Sequence, residues 1–477
     1  MVRSALFGGR EESIKLKKSS FEGVRGDGRT ALSNAELSPY GLRAHRLFQE
    51  VNLSGIPSNI RAIKAYGDRL LLFNMESGYF GIYVLSGGTV SKTGTTVKTY
   101  PLDSDGSDYC TTVLMTDDGH AKLDGCCAHT KLLFFPSGQT ACLSSAMIPM
   151  LYSTLPTDIP TFRYATLSKG RLYGSEGQKV YVSGAGGCFD WTYDTQGEDP
   201  SAEHAWKGAT GTQTDRSMEV TALMPYKNGV LVFRERALQV ITGNENPFVL
   251  KDLFKVGTRH GGSVKEVDGK IYFLTDRGPA CYNGSTVDYL PPLPQGIATN
   301  GVAGELDGRY CIYGTDGVFH HMYSYDEKSK SYAVCKVPQE VRELVNCNGS
   351  LYALMGGVGE ESKLYLLTED RSSSYMEAEF LLLDDEYRRV SVRDLAVRLN
   401  VSAGSSFRVT VKQRDQNGKT VNCSFDMVHC AAGGELTYRI RKRIRSSYGV
   451  RLLVESVGDV TLGGFEIVYN IAERGGS

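Results

Sequence analysis

The sequence is poor in the residues that usually announce chemistry. Among 477 residues there are only two tryptophans, Trp191 and Trp206, with eight histidines and fifteen prolines. HExxH, the GxSxG elbow and the GxxxxGK[ST] phosphate loop are all missing, which removes the usual signatures of zinc peptidases, serine hydrolases and P-loop enzymes. Neither charge is in surplus: 53 basic side chains stand against 54 acidic ones, a net of −1. That balance excludes a strongly basic nucleic-acid coat, though it leaves room for a local basic patch. No run approaches the roughly 18–20 apolar residues that cross a bilayer. The opening MVRSALFGGREESIKLKKSS lacks the apolar core of a secretory signal. A chain made in a cytoplasm, without a membrane span, is expected. The eleven cysteines include no CxxC, and the one close pair, Cys126 and Cys127, is adjacent and awkward for a shared ligand set. Buried free thiols are expected rather than a disulfide framework or a zinc site.

What is abundant points to short strands and tight turns. There are 54 glycines, 27 tyrosines and 18 phenylalanines; glycine supplies the positive φ of hairpin turns, and aromatics pack on pleated surfaces. From Ile60 onward an apolar strand, a polar turn and a second apolar strand recur. AIKAYGDRLLLFN (62–74), ALMPYKNGVLVFRERALQVITG (222–243), SVKEVDGKIYFLTDRGPACYNG (263–284) and LVNCNGSLYALMGG (344–357) are clear copies. Gly67-Asp68, Asn228-Gly229, Asp268-Gly269 and Asn348-Gly349 each precede an apolar quartet, as two-residue hairpins require. Repeats of about 40–50 residues built from three or four strands mark propeller blades.

The expected architecture is all-β: a six- or seven-bladed β-propeller over 58–371, an N-terminal extended arm over 1–57 and a C-terminal β-sandwich over 376–472. The arm is polar and irregular, with a helical turn expected in GLRAHRLFQEV (41–51). SSSY (372–375) reads as a linker. Beyond it, alternating strands such as VRDLAVRLNV (392–401) and VTLGGFEIVYNIA (460–472) suit a sandwich.

Arg25-Gly26-Asp27 reads as a glycine turn, and NGKT (417–420) as a hairpin. Asp117, Asp276 and Asp316 follow threonine and precede a turn, which fits turn chemistry. Asp190, Asp194, Glu198, Asp199 and Glu203 crowd one loop without singling out a glycosidase pair. His320 and His321 are adjacent, so on a strand they face opposite ways and cannot share a metal. No catalytic, cofactor or metal residue is assigned, and an enzyme is not expected. The sharper constellation is YRIRKRIR (438–445), where Arg439, Arg441, Arg443 and Arg445 alternate. On one uninterrupted strand all four would share a face. Residues 376–477 carry 15 basic and 13 acidic side chains, a net of only +2. A protein interface or solvated role is therefore favoured over phosphate contact, although arginine serves both. Asp384, Asp385 and Glu386 are a plausible protein partner for the row.

Several segments resemble a known family. SFEGVRGDG (20–28), RYATLSKGRLYGSEGQKVYVSGAGGCFDW (163–191), GVLVFRERALQVITGNENPF (229–248), FKVGTRHGGSVKEVDGKIYFLTDRGPACYNG (254–284) and VTLGGFEIVYNIAERGGS (460–477) are similar to parts of the tail nozzle proteins of short-tailed bacteriophages. These are also described as tail tubular or packaged-DNA stabilisation proteins. The resemblance implies a structural virion protein of the tail, assembled in the host bacterial cytoplasm as a homo-oligomeric ring, usually a hexamer. It implies contacts with portal-adaptor or other tail proteins and transient passage of double-stranded DNA, with no cofactor. The competing expectations are a receptor- or glycan-binding propeller at the tail tip and, behind it, a propeller glycosidase.

Overall fold

The recurring pair of turn and apolar quartet is what builds most of the chain. In the computed structural model, residues 1–9, 17–29, 39, 59, 67, 77–78, 93–96, 99–112, 117–130, 135–140 and 144–159 lie outside the described part. So do 161, 186–189, 194–202, 210–215, 228, 244, 246, 328–329, 357–360, 385–388, 415–416, 418, 441–443, 448 and 473–477. The remaining residues are described, and the arginine–glycine–aspartate at 25–27, Asp117, Cys126 and Cys127 are not among them. The chain divides into two compact units, one of residues 50–313 and 339–366, the other of 1–49, 314–338 and 367–477.

The first unit is a β-propeller. Seven successive strands open its sheets: Ile60–Tyr66, Val113–Thr116, Tyr164–Ser168, Val220–Tyr226, Lys265–Val267, Ala303–Leu306 and Val341–Cys347. Each pairs antiparallel with the strand that follows it. These first strands also pack on one another. Val113–Thr116 lies on Tyr164–Ser168, which lies on Val220–Tyr226, and the short turn Gly261–Ser263 carries the series onward. Lys265–Val267 then lies on Ala303–Leu306, that strand on Val341–Cys347, and Val341–Cys347 back on Ile60–Tyr66. They are the inner strands around an axis. The chain enters this unit against its last sheet, where the Val51 N–H donates to Leu364 O at 2.9 Å. An entering segment that completes the final blade closes a propeller without leaving a sheet edge there.

Second strands such as Gly229–Arg234 are buried at every position, because a blade's middle is covered on both faces by its neighbours. Phe233 and Phe273, from successive blades, meet at 5.1 Å between ring centroids, and both are fully buried. Burying each such side chain stabilises by about 1.5–3 kcal/mol. Arg234 is fully buried too. Its Nε donates to Gln239 Oε1 at 2.5 Å, its Nη2 to Gln178 O at 3.1 Å in the preceding blade, and its Nη1 to Met218 O. Burial lowers its pKa to about 10, with the Asp252 charge opposing that shift. A buried cation whose donors are occupied this way ties two blades together.

The turns follow the expected chemistry with one shift. Asp268 and Gly269 have φ of 49° and 74°, and Asn348 and Gly349 have 51° and 74°, as a type I′ hairpin needs. At 226–229, however, Tyr226 pairs with Gly229. The turn therefore lies before Gly229, with Lys227 at φ 49°, one residue earlier than expected. Gly229 belongs to the strand, where a Cβ would sit 2.5 Å from Ile241 O.

The second unit is a β-sandwich that the N-terminal segment helps to build. One sheet runs Thr30–Ser33, Tyr375–Asp384, Gly449–Val457, Ser406–Arg414, Thr420–Ser424. The other contains Ala35–Ser38, Gly41–Ala44, Val460–Ala472, Arg389–Val401 and Gly434–Ile440. Their inner faces share one core, in which Phe380 meets Phe465 at 5.3 Å. The expected helical turn at 41–51 is not formed: Gly41–Ala44 and Phe48–Glu50 are strands. The reason is local. Gly41 has φ 139° and a Cβ there would lie 2.1 Å from Leu462 O, so the chain is pressed against Val460–Ala472 as an added strand. Arg10–Leu16 also pairs with that strand, from Arg10↔Ile471 to Leu16↔Phe465. The described strands of the expected arm thus pair with this chain's own later strands, Arg10–Leu16 and Gly41–Ala44 with Val460–Ala472 and Thr30–Ser33 with Tyr375–Asp384. In the expected linker SSSY, Ser374 is fully buried, while Ser372, Ser373 and Tyr375 are exposed.

Candidate functional site

Three places bring charge together, and the sequence pointed to one of them. The first lies on the propeller's inner strands. Lys64, on Ile60–Tyr66, pairs with Glu343, on Val341–Cys347, and Glu343 Oε2 also accepts the Ile63 N–H at 2.8 Å. Lys265, on Lys265–Val267, is close enough to feel both charges. Burial first, and Lys64 after it, lower its pKa to about 8 against the opposing charge of Glu343. Its side chain nevertheless keeps partial contact with solvent. A sequence signal did exist here. Lys64 stands between Ile63 and Ala65, and Glu343 directly precedes Leu344 and Val345, on strands whose buried positions are Ile60, Ala62, Ile63, Val341, Leu344 and Cys347.

The second place is a buried ionic knot in the sandwich unit. Glu36 is 2% exposed and sits among Arg43, His45 and Arg371. Its Oε1 accepts from Arg43 Nε at 2.8 Å and from Arg371 Nη2 at 2.7 Å, and His45 Nε2 lies 3.9 Å from Oε2. Burial alone would raise its pKa, but His45, Arg43 and Arg371 outweigh it and the carboxyl is held below its ordinary value. Arg371 Nε also donates to Ala44 O at 3.1 Å, and Arg46 Nη1 reaches Glu369 at 2.5 Å. Asn34, at φ 52°, accepts the Lys336 N–H through Oδ1 at 2.7 Å. The knot therefore joins residues 34–46, 335–336 and 368–371, three stretches far apart in sequence. Nothing in a single sequence pairs Glu36 with Arg371.

The third place is the sandwich's exposed surface, which holds the expected arginine row. Arg439 lies on Gly434–Ile440, half exposed, with Nη1 3.2 Å from Asp394 Oδ2. Arg441 and Arg443 lie outside the described residues. Arg445 lies on the separate strand Ile444–Ser447, and its side chain is not described. Both strands pair with Arg389–Val401, through Leu395↔Ile440 and Val392↔Ile444. The pairing advances three residues on one side and four on the other, so the backbone does not run as one uninterrupted period-two strand. Around Arg439 the face carries mixed charge, with Arg398 Nη2 4.0 Å from Glu466. The expected partners Asp385 and Glu386 lie outside the described residues, and the side chain of Asp384 is not described.

On the opposite sheet a groove of about 470 Å³ is lined by Glu379, Lys412, Arg414, Thr420, Asn422 and Arg451. Glu379 accepts from Lys412 at 2.6 Å and from Arg451 at 3.2 Å. Burial works against its ionisation, but these two bonds outweigh burial and its pKa is lowered.

The weighed alternatives resolve as turns and packing. Asp316 Oδ1 accepts the N–H groups of Val318 and Phe319 at 2.9 and 2.7 Å, and Thr275 Oγ1 accepts from Arg277 N at 3.1 Å. Both are turn chemistry. His321 lies 3.9 Å from Asp316, and burial lowers its pKa with Asp316 opposing. Asn417 sits in the loop between Ser406–Arg414 and Thr420–Ser424, a hairpin as expected. In the acidic loop, the Asp190 carboxylate and the Glu203 backbone carbonyl flank Gly184; Asp194, Glu198 and Asp199 lie outside the described residues. Five of the six described free cysteines are buried: Cys281, Cys311, Cys335, Cys347 and Cys430.

The chain matches no family model. No curated protein sequence matches it significantly. Among solved structures it is similar to the Pan2 WD40 domain of Neurospora crassa, at TM-score 0.40 and 10% identity, covering 66% of this chain and 90% of that one. It is similar to the Cps50 (Swd1) β-propeller domain of Myceliophthora thermophila, at TM-score 0.43 and 12% identity, covering 67% and 100%. The AfRom2 CNH domain gives TM-score 0.40 and 9% identity, covering 67% and 99%. Likeness at this level says nothing of what this chain binds.

Proposed function

We propose that the chain is a structural subunit of a homo-oligomeric ring in the tail of a short-tailed phage, retaining packaged DNA and conducting it at ejection. The observation that carries this reading is how the N-terminal segment is built into the C-terminal sandwich. Arg10–Leu16, Thr30–Ser33 and Gly41–Ala44 pair with strands some 350 to 450 residues later, and the Glu36–Arg371 knot fastens them. Strands hydrogen-bonded side by side and tied by buried ion pairs resist being pulled apart, which a conduit wall under load requires. A wall also must not grip its cargo. The described face around Arg439 is matched in charge, through Arg439–Asp394 and Arg398–Glu466, so it offers phosphate little net attraction. The sequence resemblance supplies the tail, the hexamer and the portal-adaptor neighbours.

The test is native mass spectrometry of the full chain together with proteomics of purified virions. A ring of six copies, and the chain's presence in virions, is the expected result. A strict monomer at high concentration, absent from virions, overturns the proposal. Saturable binding on a glycan array by such a monomer would instead favour receptor recognition.

A further inference from the structure

We propose that the groove on the outer face of the sandwich's Thr30–Ser33 sheet binds a phosphate group, free or carried as an ester of a small molecule, between Lys412 and Arg451. Four neighbouring strands supply its lining: Glu379 on Tyr375–Asp384, Arg451 on Gly449–Val457, Lys412 on Ser406–Arg414, and Thr420 and Asn422 on Thr420–Ser424. The register sets their arrangement. Lys412 stands directly across from Arg451 on one side and from Asn422 on the other. Two residues further along the same face, Arg414 stands across from Gly449 and Thr420. Phe407, Val409 and Val411 of the same strand fill the core, so alternation turns Lys412 outward. Gly449 has no side chain and leaves room beside Arg414, and the groove encloses about 470 Å³.

Two cations directly opposite on adjacent strands repel one another. Glu379 answers both, accepting from Lys412 through Oε2 at 2.6 Å and from Arg451 Nη1 through Oε1 at 3.2 Å. Each cation has donors to spare. An ammonium carries three N–H groups and a guanidinium five, and among the described residues Glu379 is the sole hydrogen-bonding partner of either. Their side chains are 23% and 45% exposed, so the unused donors are open to a solute. Thr420 and Asn422, both exposed, add a hydroxyl and a carboxamide alongside. Arg414 has interactions of its own, and the site does not depend on it.

These donors approach from three strands. They suit an acceptor with oxygens on several sides, which a tetrahedral phosphate has and a planar carboxylate lacks. Opposed Cβ atoms lie about 4.5–5.5 Å apart, a spacing that one phosphate group can bridge. A duplex is not the ligand, because following a nucleic-acid backbone takes a track of cations, whereas here one opposed pair sits beside a carboxylate. The volume is that of a small-molecule site. The site is independent of the ring role proposed above, and either can fail without the other.

The experiment is calorimetric titration of the full chain with inorganic phosphate and, separately, with glycerol phosphate, at neutral pH and at ionic strength held constant with sodium chloride. Saturable binding at one site per chain is expected. Tighter binding of the ester identifies an esterified ligand, and equal or tighter binding of inorganic phosphate identifies the free ion. Lys412→Met and Arg451→Met are each expected to weaken binding by about tenfold, the worth of one charge-assisted hydrogen bond. Glu379→Gln removes the competing charge, so binding should tighten several-fold. Arg236→Met changes an exposed cation of the propeller unit and should leave affinity unchanged. The proposal is overturned if neither titrant binds above chloride, if Lys412→Met and Arg451→Met leave affinity unchanged, or if Glu379→Gln weakens binding. It is overturned as well if Arg236→Met weakens binding as much as the groove variants do. If Lys412→Met does not fold, Arg451→Met, at the more exposed position, decides the matter.

Discussion

The propeller unit and the sandwich unit are both all-β, yet they are assembled by opposite strategies. In the propeller, most strands pair with the next one along the chain across a turn such as Asp268-Gly269 or Asp307-Gly308, in which both residues have positive φ; the entering segment, which completes the last sheet, is an exception. Polar ties such as Arg234 to Gln239 and Gln178 are short- to medium-range, with Lys64–Glu343 the long-range tie between its first and last inner strands. In the sandwich, Leu16 pairs with Phe465, Thr30 with Phe380 and Leu42 with Leu462. Its strands are longer, with Arg389–Val401 and Val460–Ala472 at 13 residues each. Local pairing closes small loops early, whereas the sandwich must bring the two ends of the chain together before its contacts form. One unit is therefore redundant and modular. The other depends on a few long-range fastenings.

The largest effect should come from cutting such a fastening. Arg371→Ala leaves Glu36 buried and short of a partner, and should destabilise the sandwich unit by about 3–5 kcal/mol. Hydrogen exchange read by mass spectrometry should show lost protection in 375–472 while 220–313 keeps its own. Equal loss in both would end the contrast drawn here. Removing one core side chain from the modular unit should be severe but confined. Leu231→Ala, at a site 1% exposed, should cost about 3 kcal/mol, with exchange rising mainly in 220–282, where its core neighbours lie.

Acid should discriminate the two units as well. The pKa of Glu36 is lowered in the folded chain from its ordinary 4.5. A depressed carboxyl contributes stability that is present above the unfolded value and is lost as pH falls through the folded one. On stepping pH down from 5, exchange protection should fail in the sandwich unit before the propeller unit. Glu36→Gln should flatten that dependence, and the same profile in wild type and variant would remove Glu36 from the account.

Smaller effects test the turns and the surface. Gly349→Ala places a side chain at φ 74° and should cost about 1 kcal/mol, measured as a shift in the urea midpoint. Arg439→Ala breaks an exposed pair with Asp394 and should change monomer stability by at most about 0.5 kcal/mol. A larger change would mean that this arginine is more than a surface residue.

Legibility followed the same divide. The blades could be read because Asp-Gly and Asn-Gly mark turns, and because a strand covered on both faces is apolar throughout, as in VLVF and IYFL. The one shifted turn, which lies before Gly229, shows the limit of that reading. Gly229 was needed for close approach to Ile241 O and not for its φ. The sandwich strands were legible from alternation, but their partners were not. Pairing depends on register across the sheet, and Arg10–Leu16 carries no mark of Val460–Ala472. The Lys64–Glu343 pair and the Glu36 knot escaped for a related reason, since each is a meeting of residues far apart in the chain.

By itself the sequence determined the strand content, the two-residue turns and the change from short repeats to long alternating strands. Those features are set by backbone sterics and by which face of a strand meets water, and both act over a few residues. Only the tertiary structure decided that the N-terminal segment completes the sandwich, that Glu36 meets Arg371, and that Lys64 meets Glu343. Those outcomes depend on burying charge and closing long loops, whose free energies belong to the assembled chain and to no local stretch of it.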